Sequence, residues 1–164
     1  MTDISLESIN HFKKNLKVKA ATNVISFKKI NVIDDIEKIN FNNFDIVTGS
    51  AFLDIMPRKW FKDFCKLNTN TKIIYFSINY DGFFKFTPKH KDDELVLKLF
   101  NKDQKSDKGI GLRAVGQDCT NIINTVFSKT HKTYVFNSDW VVENNKAFQE
   151  IFINFCENVI LKNK

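Results

Sequence analysis

A chain of 164 residues, 43% hydrophobic and 13% aromatic, has the length of one compact domain with a buried core, and no repeat, low-complexity tract or linker interrupts it. The net charge of +6 favours acidic partners, yet Lys13, Lys14, Lys28, Lys29, Lys62, Lys89, Lys91 and Lys129 scatter over several predicted elements, so nucleic-acid binding rests on charge alone. Cys65, Cys119 and Cys156 lie far apart with no CxxC and no pairing to His11, His90 or His131, which argues against a metal centre or disulfide framework; with no apolar run of membrane length, a reducing, cytoplasmic setting is expected.

Ile9, Phe12 and Leu16 fall on one face of a helix beginning near Ile4. Asn23–Lys28 alternates and is rich in β-formers, and Asp34–Ile39 reads as a short helix or turn. Phe44–Leu53 then describes a buried parallel strand, with β-branched Ile46 and Val47 followed by the small residues Thr48, Gly49, Ser50 and Ala51. Trp60, Phe61, Phe64 and Leu67 recur at helical spacing after Pro57, and Lys72–Ile78 is a second apolar run suited to a strand covered on both faces. Alternating strand and helix patterns predict a parallel α/β sheet, and ligands of such sheets sit beyond the strand C-termini.

The rhythm breaks at Asn79–Pro88, where Asp81-Gly82 and the alternating Phe84 and Phe86 predict a hairpin-like loop. Leu95, Val96, Leu99 and Phe100 mark a further helix. Asp107–Gly116 holds three of the five glycines, and Ile122, Ile123, Val126 and Phe127 mark the next helix. Tyr134–Val142 reads as a strand, and Phe148, Ile151, Phe152, Phe155 and Val159 outline a C-terminal amphipathic helix.

The stretches Asp45–Trp60 (DIVTGSAFLDIMPRKW) and Tyr75–Gly111, together with Ser138–Trp140 (SDW), resemble a bacterial group of class I S-adenosylmethionine-dependent methyltransferases, and the likeness runs from about Asp3 to Trp140. The resemblance implies a single α/β domain over residues 1–164: a doubly wound, mostly parallel, Rossmann-like sheet, with 79–116 inserted over the acceptor pocket. It implies S-adenosylmethionine as methyl donor, with Asp3 on the ribose hydroxyls, Asn31 and Val32 at the adenine edge, and Ser50, Ala51, Phe52 and Leu53 at the methionine portion. Asn79, Tyr80 and Asp81 would occupy the loop over the acceptor. The glycine-rich turn that such enzymes carry after their first strand has no counterpart, since no GxGxG occurs and Gly109-Ile110-Gly111 follows a helix. The fold is therefore expected to be incomplete at its N-terminus.

Methyl transfer from a sulfonium needs an in-line approach, exclusion of water and at most one base. Asp54 and Tyr80 are the candidate catalytic residues, although Asp54 is equally suited to capping the helix after Pro57, and Asp81 before Gly82 to turn chemistry. Tyr80 and Trp140 are able to stack a flat or cationic acceptor or to serve as core, and Lys108 and Arg113 to hold an acidic acceptor or to be solvated. The expected function is methylation of a small molecule. The alternative is an inactive methyltransferase-like remnant that acts as a binding or oligomerisation partner, as a homo-oligomer or completed by another chain.

Overall fold

The computed structural model describes residues 28–162, together with Lys14. The chain separates into two compact units, one ending at Asn40 and the other running from Phe41. Asp3, the helix expected near Ile4 and nearly all of the Asn23–Lys28 strand lie outside the described residues.

In the first unit Asn31 organises a turn. Its Oδ1 accepts the backbone N–H groups of Ile33 (3.0 Å) and Asp34 (3.4 Å), and its Nδ2 donates to Asp34 Oδ2 at 2.6 Å. A short 3-10 turn, Ile36–Lys38, follows within the expected helix or turn and buries Ile36. Lys38 pairs with Asp35 at 2.6 Å, and the ammonium holds that carboxyl below its ordinary range.

The second unit is mixed α/β. Strand β1 (Ile46–Ser50) pairs in parallel with β2 (Ile73–Ser77), Ile46 opposite Ile73 and Ser50 opposite Ser77, and helix α1 (Arg58–Leu67) joins them. Parallel strands cannot be linked by a hairpin, so a crossover helix is what this pairing requires. One face of the pair is covered: Val47, Gly49, Ile74 and Phe76 are partly buried, and Phe76 meets Phe64 of α1 with ring centroids 5.8 Å apart. Gly49 lies so close beneath the Phe76 ring that a Cβ there would stand 2.7 Å from it, so the strand needs glycine at this point.

The opposite face is bare among the described residues. Ile46, Thr48, Ser50, Ile73 and Tyr75 are all exposed, whereas the sequence predicts cover on both sides. The cause is the strict alternation of the two strands combined with helical cover on one side only among the described residues.

The core behind β1 and β2 is aromatic. Trp60, Phe61 and Phe64 are buried on α1, and the Phe64 ring touches Phe41, Trp60, Phe76 and Phe127. Helix α1 ends at Asn68, which is fully buried: its Nδ2 donates to Phe64 O (2.8 Å), and its Oδ1 accepts the Thr71 hydroxyl (3.1 Å), which also reaches Phe41 O (3.3 Å). Burying an amide is tolerable only with such partners.

Helices α2 (Asp93–Gln104), α3 (Cys119–Phe127) and α4 (Lys146–Lys162) complete the unit, α3 packing on α1 and α2 on α4. Between α2 and α4 lies a second apolar cluster of Phe100, Cys156 and Val159, joined by Tyr80, Phe84, Phe86, Val96 and Phe152. This cluster corrects one expectation: Asn79–Pro88 forms no hairpin, because Phe84 and Phe86 both turn into the α2–α4 seam instead of alternating across a sheet. Tyr134–Val142 is likewise no strand here, since among the described residues it has no neighbour to pair with. Among the described residues the sheet thus has two strands, and no helix is long and apolar enough to cross a membrane.

Candidate functional site

The site grows from the C-terminal end of β1. After Ser50, the Ala51 N–H donates to Ser77 O at 3.0 Å, extending the parallel ladder by one bond, and the backbone then swings into the left-handed region (φ 51°) at Ala51. A larger or β-branched side chain is costly in that conformation, so a small residue suits it. The swing leaves Ser50 and Ala51 exposed as a small-residue crest beside the half-buried Ser77.

The next two residues do the opposite. Phe52 stacks on Phe76 and meets the edge of Trp60, and Leu53 is 3% exposed within the 3-10 turn Leu53–Ile55. Both anchor the crest to the core. Asn79, just after β2, fixes the turn from outside: its Oδ1 accepts the Leu53 N–H at 3.0 Å. The two parallel strands are thereby tied together at their ends by one amide side chain.

Asp54 sits in this turn. Its Oδ1 is buried and has no hydrogen-bond partner among the described residues. Burial raises its pKa above the ordinary value of 3.8, while its own peptide N–H, the Lys108 charge and the Tyr80 N–H act the other way. The neighbouring 3-10 turn Gly116–Asp118 packs against it and carries a second buried acceptor without a partner, Gln117 Oε1. Gly82 (φ 95°) crosses directly over Gln117, where a Cβ would lie 2.7 Å from the Gln117 Cβ.

A folded-state pKa above the unfolded value means that ionised Asp54 destabilises the fold above that pKa, and that this penalty fades as pH falls toward 3.8. Asp54→Asn is therefore expected to be more stable than the parent at pH 7, with the difference shrinking in acid. Urea unfolding across pH 4–8 measures this, and a variant less stable than the parent at pH 7 contradicts it.

Tyr80 is committed elsewhere. Its hydroxyl donates to Asn101 Oδ1 at 2.7 Å, Asn101 Nδ2 donates to Gly82 O at 2.9 Å, and the ring packs edge-on against Phe100 at 5.3 Å. Burial, with the Asp81 carboxylate behind it, pushes the phenol well above its usual range, so it stays protonated at ordinary pH. Asp81 closes an Asx turn by accepting the Phe83 N–H at 3.0 Å. The Tyr80–Gly82 loop is held in place by α2.

The basic candidates also have partners. Lys108 Nζ donates to Asp103 O (2.8 Å) and pairs with Asp103 Oδ2 (3.0 Å), while Arg113 Nε donates to Lys105 O (3.1 Å). Trp140 is 63% exposed, packs edge-on against Phe148 at 5.9 Å, and lines an open hollow with Val141, Glu143, Asn144 and Asn145. Asn31 and Val32 belong to the first unit, where Asn31 serves its own turn. The structure therefore brings Ser50, Ala51, Asp54 and Asn79 to one turn, which Tyr80 meets through its backbone N–H at Asp54 while its side chain points to α2.

Three residues that sequence reasoning passed over hold this arrangement: Asn101, Asp103 and Gln117. An asparagine inside a helix is a weak signal of local competition with the backbone, and nothing in the order of residues ties it to Tyr80. Among the described residues no group of three His, Cys, Asp or Glu side chains is placed to hold a metal ion. Comparison with known proteins finds no matching family model, no similar curated protein and no similar solved structure.

Proposed function

We propose that the chain is an S-adenosylmethionine-dependent methyltransferase acting on a small molecule, with β1, α1 and β2 as one β-α-β unit of a Rossmann-like sheet. The observation that carries this reading is the exposed crest of Ser50 and Ala51 at the joined C-terminal ends of two parallel strands, the place where α/β sheets receive nucleotide-like ligands. The resemblance of Asp45–Trp60 and Tyr75–Gly111 to class I methyltransferases supports it independently. The crest fits a donor that needs close backbone approach, whereas Phe52 and Leu53 support the crest from the core instead of touching the donor.

When bound, the donor supplies an electrophilic methyl group, and the chain's part is to orient, exclude water and accept at most one proton. Asp54 is the residue for that proton, being partly exposed with its carboxyl made more basic by burial. Tyr80 acts as a positioning residue, fixing the loop through Asn101.

Calorimetric titration with S-adenosylhomocysteine tests the reading. The expected Kd is on the order of micromolar, and Ser50→Trp, which fills the crest while leaving the core untouched, is expected to abolish binding without changing the far-ultraviolet circular dichroism. No heat at millimolar ligand would remove the donor from the account. The bare apolar face of β1 and β2 favours a second reading, a methyltransferase-like remnant that works by association. It predicts self-association or partner binding with no response to the ligand.

A further inference from the structure

Helix α3 ends at Phe127, and His131 Nε2 then lies 3.0 Å from Thr71 O, close to the start of β2. The chain runs on through the strong β-formers Thr133, Tyr134, Val135 and Phe136 to Asn137. Among the described residues the backbone from Thr133 to Val141 makes no hydrogen bond. Its apolar side chains are open to solvent: Tyr134 is 66% and Phe136 85% exposed. In an extended segment Tyr134 and Phe136 share one face.

Strand β2 has the complementary defect. It pairs with β1 along one side, and its other edge presents unpaired N–H and C=O groups among the described residues. A free edge is a template for an incoming strand, and two-stranded sheets are marginal without one. Ile73 and Tyr75 on the same strand are more than half exposed, giving apolar side chains for an added strand to meet. Among the described residues the polypeptide thus carries both an extended segment without a sheet and a sheet edge without a further strand.

We infer that two copies of this chain associate by reciprocal strand addition, Thr133–Asn137 of each copy lying along the free edge of β2 in the other. A second copy is the matching occupant because it offers both halves at once, so a two-fold arrangement closes and leaves neither half unused. Backbone hydrogen bonds supply the register, and Tyr134 and Phe136 extend the apolar face begun by Ile73 and Tyr75. The inference stands apart from the methyl-transfer reading and uses none of Ser50, Asp54 or Tyr80.

Size-exclusion chromatography with light scattering, run from about 1 to 100 µM, is expected to show a monomer giving way to a dimer. Successive amides of a strand point to opposite sides, so one of Val135→Pro and Phe136→Pro must remove a bond to the partner edge. That variant is expected to weaken the dimer at least about tenfold, with circular dichroism unchanged because the segment gives up no backbone bond among the described residues. If a proline variant loses helical signal, Phe136→Asp, at a side chain already in solvent, is expected to give the monomer. Hydrogen exchange is expected to slow at Thr133–Asn137 and Ile73–Ser77 together, and only in the dimer. A monomer at every concentration, a dimer indifferent to both prolines, open-ended growth, or protection of these amides within a monomer, which would mean pairing inside one chain, each overturns the inference.

Discussion

Phe64→Ala is expected to destabilise the protein by about 3–5 kcal/mol, near the upper end for a buried aromatic. Phe64 is 1% exposed, and its ring meets four other aromatic rings. Edge-on and stacked pairs of this kind each contribute about 0.5–1.5 kcal/mol beyond the area they bury. The partners come from Phe41, from α1 itself, from β2 and from the end of α3, so no single element can shift inward to fill the hole. Urea unfolding at neutral pH reads the loss directly, and a drop of about 10 °C in melting temperature is its thermal counterpart. A cost below about 1 kcal/mol would mean that the aromatic cluster is not a packed core.

Asn68→Ala is expected to cost about 2 kcal/mol for a different reason. The amide is fully buried and closes α1 by donating to Phe64 O, while its oxygen accepts the Thr71 hydroxyl. Removing it strands a helix carbonyl and deprives the hydroxyl of one of its two acceptors, the other being Phe41 O. Thr71→Val is expected to cost less, because the Asn68 amide still donates to Phe64 O. The double variant should cost less than the sum of the two, since both act on the same bond. Strict additivity in denaturant titrations would show that the two side chains are not coupled.

The segment from Phe44 to Ser77 was readable because its signals are local. β-branched residues, a small-residue stop and apolar residues at helical spacing place β1, α1 and β2 where the structure has them. Helices α2, α3 and α4 follow from the same periodicity. Tyr134–Val142 shows the limit: an alternating apolar pattern states a preference for extended backbone, but a strand exists only where another offers hydrogen bonds. Phe84 and Phe86 show a second one, as a spacing of two also suits a loop that folds both rings into one seam.

The same contrast runs through the candidate site. Ser50 and Ala51 were legible because small residues at a strand end have a direct steric meaning. The engagement of Tyr80 was not, because Asn101 reaches it from α2 by tertiary packing, and that of Lys108 depends on how the turn after α2 folds back onto Asp103. Isolated charges and hydroxyls in a sequence advertise chemistry that a partner elsewhere in the fold has already claimed.

The cysteines offer a way to watch these clusters come apart. Burial pushes the Cys119 and Cys156 thiols up to about 11, so at neutral pH almost none of either is present as the reactive thiolate. Cys119 lies beneath the Tyr80 carbonyl, and Cys156 faces Phe100 across the α2–α4 seam. Alkylation of each sulfur by a maleimide then waits on a breathing motion that wets its own neighbourhood. Two clocks are thus built into one polypeptide, and their rates compare how often the loop beside the crest and the C-terminal helix lift away from the body of the protein.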